Sequence, residues 1–163
     1  MAGYLYIVAT PIGNLDDITR RAVDILEQVE LIAAEDTRHS RKLLNHLGID
    51  SKIIAYHEHN EEKLTNQLIE RLVNDTSIAL ISDAGTPLVS DPGYKLVSAA
   101  HDANITIIPV PGASAVIAAV TASGIFCGKF IFEGYLSAKA VSRRKYLRTL
   151  ALESKTLIFY EAP

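Results

Sequence analysis

Ser77-Ile78-Ala79-Leu80-Ile81-Ser82-Asp83-Ala84-Gly85-Thr86-Pro87-Leu88-Val89-Ser90-Asp91-Pro92-Gly93-Tyr94-Lys95-Leu96-Val97-Ser98-Ala99-Ala100 decides how the rest of this chain is read. The opening apolar run has the pattern of a buried strand. The closing residues predict a helix. Between them lies a loop, residues 83–93, dense in Gly, Pro and Asp. Open α/β sheets bind ligands beyond the C-terminal ends of their strands, so this loop is a candidate pocket wall. Gly85 and Gly93 allow backbone angles and close approaches that a side chain would block. Pro87 and Pro92 stiffen the segment. Asp91-Pro92 predicts a helix start, with the acid as N-cap and Pro at the first helical position.

The same alternation extends outward in both directions. Residues 4–9 form a strand candidate, followed by Ile18, Ala22, Ile25, Leu26 and Val29 on one helical face. Residues 31–34 are a short apolar run ending at Glu35. Leu43, Leu44 and Leu47 mark a second helix, with Gly48 placed as its C-terminal cap. Residues 53–56 read as a strand, and Leu64, Leu68, Ile69, Leu72 and Val73 as a third helix. After the opening stretch comes the β-branched run 105–110, then Pro111-Gly112-Ala113-Ser114 turning into a small-residue helix, 115–123.

Five strands separated by helices predict an α/β fold: a mostly parallel five-stranded sheet with helices on both faces. That domain is expected to span residues 1–123. Residues 124–163 read as the beginning of a second α/β domain, with strand 130–133, helix 140–152 and strand 156–160. A lone strand–helix–strand does not bury both faces of its sheet, so this part is expected to belong to a longer domain.

The chain has 163 residues, 48% of them hydrophobic, enough for a sizeable core. One cysteine, Cys127, excludes an internal disulfide framework and fits a reducing compartment. No apolar run reaches the roughly 18 residues of a membrane span. Met1-Ala2-Gly3-Tyr4 lacks the basic start of a signal peptide. A soluble, cytoplasmic protein is expected. The net charge of −3 conceals an asymmetry: residues 129–163 hold 7 Lys/Arg against 3 Asp/Glu, and residues 1–128 hold 9 against 16. The basic end suits a polyanion, and equally a solvated helix face.

Several junctions could carry chemistry. A dinucleotide site would place Gly-x-Gly-x-x-Gly after the first strand. Ala9-Thr10-Pro11-Ile12-Gly13-Asn14-Leu15-Asp16-Asp17 has Gly13 alone, and its acids would repel a phosphate at the helix start. Glu35 nevertheless lies about where a ribose-binding acid belongs. Glu35-Asp36-Thr37-Arg38 follows the second strand, where Asp36 or Thr37 can cap a helix and the charged groups can line a cleft. His57-Glu58-His59 has metal-ligand residue types but no third ligand at a clear spacing, so no metal site is expected. At Pro109-Val110-Pro111-Gly112-Ala113-Ser114-Ala115, small residues let a ligand lie against the backbone, and Ser114 can cap the helix or bond that ligand. Arg143, Arg144, Lys145 and Arg148 cluster downstream, with Arg144 and Arg148 at i,i+4 spacing.

Together these segments resemble the ribosomal RNA small-subunit methyltransferase I family, a branch of the tetrapyrrole methylase superfamily. The matching stretches are Leu5-Tyr6-Ile7-Val8-Ala9-Thr10-Pro11-Ile12-Gly13-Asn14-Leu15, Ala34-Glu35-Asp36-Thr37-Arg38, the 83–93 loop, Val110-Pro111-Gly112, Glu133-Gly134-Tyr135-Leu136 and Leu157-Ile158-Phe159-Tyr160-Glu161. The resemblance implies S-adenosylmethionine as methyl donor, folded in a cleft between two α/β domains. It implies 2′-O-methylation of a cytidine in 16S rRNA at the decoding centre of the small ribosomal subunit, by a homodimer. Carried onto this chain, the donor would contact Pro11, Ile12, Gly85, Thr86, Pro87, Val89, Ser114 and Ala115, with Tyr160 and Glu161 reaching it from the second domain. The family continues beyond residue 163, so further donor and RNA contacts are expected there.

A 2′-hydroxyl is a weak nucleophile, so a proton acceptor should assist it. Glu35, Asp36 and Asp83 are the candidates, all at C-terminal strand edges. Arg38, Arg143 and Arg144 are candidates for phosphate contacts with the RNA. Two alternatives stay open: a tetrapyrrole or diphthine-type methyltransferase of the same superfamily, and a non-catalytic nucleotide-binding module.

Overall fold

The computed structural model describes residues 2–161. Its internal contacts divide the chain into one unit up to Ser114 and another from Ala115 onward. The division falls at the start of the small-residue helix, whereas the sequence boundary falls at its end.

The first unit alternates strands and helices in the expected order: β1 (Leu5–Val8), α1 (Arg20–Gln28), β2 (Leu31–Ala34), α2 (Thr37–Leu47), β3 (Ile53–Ala55), α3 (Glu61–Val73), β4 (Ile78–Ile81), α4 (Tyr94–Asp102) and β5 (Ile107–Val110). The strands form one five-stranded sheet, ordered β3-β2-β4-β1-β5, and every pairing is parallel. The α/β architecture predicted from periodicity is therefore the one present.

Strand alternation explains why both faces are covered. In β4, Ile78 and Leu80 join a core with Leu5, Leu31, Ala33, Tyr56, Leu68, Leu72 and Leu96. Their neighbours Ala79 and Ile81 join the opposite core, with Val8, Ala22, Leu26, Ile32, Ala34 and Leu44. Side chains in a strand point alternately to the two faces, so one apolar run feeds both layers. The helices α3 and α4 supply the first layer, and α1 and α2 the second. Each fully buried Leu or Ile contributes roughly 1.5–3 kcal/mol of transfer free energy.

Helix entries follow local chemistry in two cases and not in a third. Thr19 caps α1, its hydroxyl accepting from Ala22 N at 3.1 Å. Asp36 caps α2, accepting from Arg38 N at 2.8 Å. The Asp91-Pro92 start predicted for α4 is not used: the helix begins at Tyr94, and Gly93 is its N-cap at φ 131°. The reason is tertiary. A Cβ on Gly93 would lie 2.7 Å from Leu80 Cδ2 and 3.3 Å from Leu88 Cδ1, so the chain turns here against the core. Asp91 stays upstream, half-buried, and its environment belongs to the site below.

In the second unit, α5 (Ala115–Ala122) precedes β6 (Phe130–Tyr135), α6 (Ala140–Thr149) and β7 (Thr156–Tyr160). The strands pair in parallel, with a register irregularity between Phe132 and Gly134. Tyr160 packs edge-on against Phe132 and Tyr135. The α6 helix stops at Thr149, short of the 152 read from the sequence. Among the described residues, no helix is long and apolar enough to cross a membrane.

Candidate functional site

Parallel strands bring every strand-to-helix loop of the first unit to one edge of the sheet. The strand order places the loops after β2, β4, β1 and β5 side by side there. Two are joined directly. Thr10 N donates to Gly85 O at 2.9 Å, and Gly85 N donates to Thr10 O at 3.1 Å. This pair is an antiparallel bridge at the end of a parallel sheet. The buried Thr10 hydroxyl also donates to Ser82 O at 3.2 Å. The third loop is tied in by Thr86 Oγ1, which donates to Ala113 O at 3.1 Å.

The 83–93 loop holds its shape under backbone strain. Gly85 sits at φ 85°, and the non-glycine residues Leu88 and Ser90 at φ 70° and 68°. A non-glycine residue in this region costs on the order of 1–3 kcal/mol and persists where its surroundings fix it. Leu88 is fixed by packing onto the core beneath α3 and α4. A Cβ on Gly85 would lie 3.3 Å from Ile12 Cγ2 and 3.7 Å from Ala113 O, so the bare glycine lets the three loops approach closely here.

Pro11, Ile12, Gly85, Thr86, Pro87 and Val89 thus lie on the two bridged loops, with Pro11, Gly85 and Pro87 buried. Ser114 ends the third loop. Ala115 opens α5, Tyr160 ends β7 and Glu161 follows it, all in the second unit. Arg143 and Arg144 lie on α6, donating to Ser137 O and Ala140 O at 3.3 and 3.4 Å. Among the described residues, neither has a carboxylate within ion-pair distance.

The acids at the edge differ sharply in environment. Asp36 is held by Arg38 through Nε at 3.3 Å and Nη2 at 3.1 Å, besides the backbone N–H it caps. These bonds hold its carboxyl down at about 2. Asp83 Oδ1 accepts from Asp36 N at 3.1 Å, which ties the β4 loop to the start of α2. Glu35 Oε2 accepts a long hydrogen bond, 3.5 Å, from Asp83 N. Burial, then the charge of Asp91, with smaller effects from Asp83 and Glu58, pushes the Glu35 carboxyl above its ordinary value. The Asp83 N–H offsets part of this. Asp91 is also raised, mainly by burial, with the nearby Ser82 hydroxyl opposing and Asp83 adding.

Sequence reasoning missed Asp91 as a member of this group, because Asp-Pro reads locally as a cap. It also missed Thr10 and Ser82. No local pattern marks the Thr10–Gly85 pair, whose members meet only through the sheet. His57, singled out for its metal-ligand type, instead has Nε2 3.3 Å from Asn60 Nδ2 at the entry to α3.

The family profile described as Tetrapyrrole (Corrin/Porphyrin) Methylases matches residues 4–163. A protein of Synechocystis named Ribosomal RNA small subunit methyltransferase I is 55% identical over 161 residues, 99% of this chain and 58% of its own length. The protein of that name from Pasteurella multocida is 56% identical over 162 residues, again 99% and 58%. The one from Escherichia coli O157:H7 is 51% identical over 160 residues, 98% of this chain and 56% of its own. The chain therefore spans rather more than half the length of these relatives. Among solved structures, uroporphyrin-III-C-methyltransferase from Thermus thermophilus aligns with a TM-score of 0.64 at 23% identity, covering 82% of this chain and 61% of that one. A conserved hypothetical protein from Aeropyrum pernix K1 aligns with a TM-score of 0.70 at 20% identity, covering 93% and 55%. At these identities the two structures share the fold.

Proposed function

This chain belongs to the tetrapyrrole (corrin/porphyrin) methylase family, and from that premise we propose that it acts in S-adenosylmethionine-dependent methylation of RNA in the small ribosomal subunit. The observation that carries the reading is identity above half, over nearly the whole chain, to relatives bearing that name. The finer reading is 2′-O-methylation of a cytidine of 16S rRNA at the decoding centre, by a cytoplasmic homodimer. The proposed boundary between the two domains, at residues 123 and 124, rests on the sequence pattern.

The residues at the sheet edge suit this donor. S-adenosylmethionine supplies a methyl group on a cationic sulfonium and carries no phosphate. A loop lacking Gly-x-Gly-x-x-Gly, with acids at the following helix start, is no handicap to such a ligand. The loops that meet at Gly85, with Ile12 and Ala113 against it, offer backbone and apolar surface for a flat heterocycle. Pro11, Ile12, Gly85, Thr86, Pro87, Val89, Ser114, Ala115, Tyr160 and Glu161 are the residues proposed to contact the donor. Arg38, Arg143 and Arg144 would contact RNA phosphates. Arg38 does so while bonded to Asp36, and the two α6 arginines with no acid to displace.

The test uses the whole protein with labelled S-adenosylmethionine and unmodified small ribosomal subunits, followed by mapping of the labelled nucleotide. Label on one ribose 2′-oxygen is the expected result. No transfer to subunits, with transfer to a porphyrinoid, would overturn the RNA reading. Neutralising Arg143 and Arg144 together should lower the slope of log affinity against log salt by about 2, one for each lost phosphate contact.

A further inference from the structure

Four carboxylates stand at the sheet edge; Asp91 has the Ser82 hydroxyl beside it, and the hydrogen bonds of the other three separate them. Asp36 has both oxygens engaged by Arg38. Asp83 Oδ1 anchors the start of α2 through Asp36 N, so moving it would undo a structural tie. Glu35 uses only Oε2, in the long bond from Asp83 N at 3.5 Å. Its Oε1 has no hydrogen-bond donor among the described residues. Glu35 follows β2, and β2 lies next to β4, whose loop is bridged to the β1 loop. The carboxylate therefore lies against the first residue of the 83–93 loop, 3.5 Å from Asp83 N.

A second feature points into the same place. Ser82 is buried, and its Oγ makes no well-aligned hydrogen bond among the described residues. It is nevertheless close enough to the Asp91 carboxyl to favour that group's charged form. A buried hydroxyl without a firm partner, beside half-buried carboxylates, is a donor available to an incoming polar group.

We propose that Glu35 is the catalytic proton acceptor of the methyl transfer, its unbonded oxygen taking the proton of the hydroxyl that receives the methyl group. This rests on the methyltransferase reading above. As the hydroxyl oxygen bonds to the methyl carbon, the electron pair of the methyl–sulfur bond stays on sulfur and the O–H proton passes to Glu35. A cation and a carboxylate thereby become a neutral thioether and a neutral acid, so the step needs no further reactant. The groups facing Glu35 are Asp91, Asp83 and Glu58, all acidic, and they oppose its ionisation together with burial. A carboxylate made more basic in this way is a better proton acceptor near neutral pH.

The experiment compares the whole wild-type protein with Glu35→Gln, an isosteric change that keeps the Asp83 N–H bonded. Single-turnover transfer to small subunits should fall about a hundredfold or more. Donor affinity by calorimetry and subunit affinity should stay within about threefold. The wild-type rate should decline on acidification through the Glu35 midpoint, and that limb should be absent from the variant. Independently of activity, the labelled Glu35 carboxyl carbon should titrate by NMR above the ordinary glutamate range. A variant rate within threefold of wild type would overturn the proposal, as would lost donor affinity accounting for the whole effect, or an ordinary Glu35 midpoint. A wild-type protein that transfers no methyl to subunits would instead overturn the parent reading, and this inference with it.

Discussion

The two units treat their strands in opposite ways. In the first, β2 and β4 are buried at every residue, because helices cover both faces of the sheet. In the second, β6, α6 and β7 contain no fully buried residue. Leu152 there is 98% exposed and Phe126 87%. The difference shows what a parallel sheet requires. Its strands are apolar on both sides, so stability comes only when both sides are covered. Hydrophobic stabilisation in this chain is therefore concentrated in the first unit, and so is the rigid edge that shapes the site.

The contrast can be broken most directly at Leu80. Leu80→Ala should lower unfolding free energy by about 2–5 kcal/mol in urea titration, since Leu80 is in the core and also backs Gly93. A loss no larger than that of an exposed residue would remove the distinction. Gly85→Val is the next largest effect, and it acts on the edge. At φ 85° a β-branched residue is strained, and its side chain would press on Ile12. Calorimetry should show donor affinity falling at least tenfold while the thermal melt stays cooperative; unchanged affinity would mean that this loop does not hold the donor.

The acids sharpen the comparison by pH. Glu35 and Asp91 have raised folded-state values, so their contribution is most favourable below the unfolded value and is lost as pH rises through the folded one. Asp36, held at about 2, works the other way, stabilising above its unfolded value and losing that as pH falls towards 2. Glu35→Gln should therefore raise the urea midpoint at about pH 7, and the gain should vanish near pH 4. A gain independent of pH would point to packing instead. The smallest effect is expected at Leu152→Ala, within about 0.5 kcal/mol of wild type. A greater loss would show that the second unit buries this residue after all.

Much of the first unit was legible in the sequence because its rules are local. Asp36 and Gly48 cap the two ends of α2 by local chemistry, and apolar runs such as 78–81 can hardly be anything but buried strands. Strand order was not legible, since apolar runs of similar length carry no label for their neighbours. The misreading at Asp91-Pro92 has the same origin. The dipeptide has the chemistry of a helix start, but the turn is set at Gly93 by Leu80 and Leu88 packing beneath it. Candidate acids could be named from their position after strands. What distinguishes Glu35 from Asp36 is the Arg38 guanidinium on one and a nearly empty coordination on the other. Residue types two positions apart do not disclose that difference.

The reciprocal pair between Thr10 and Gly85 has a consequence for motion. Each amide is the other residue's donor, so neither loop can peel from the edge without releasing both hydrogens to solvent at once. Their deuterium uptake should rise and fall together, and a molecule resting on either loop would slow both clocks.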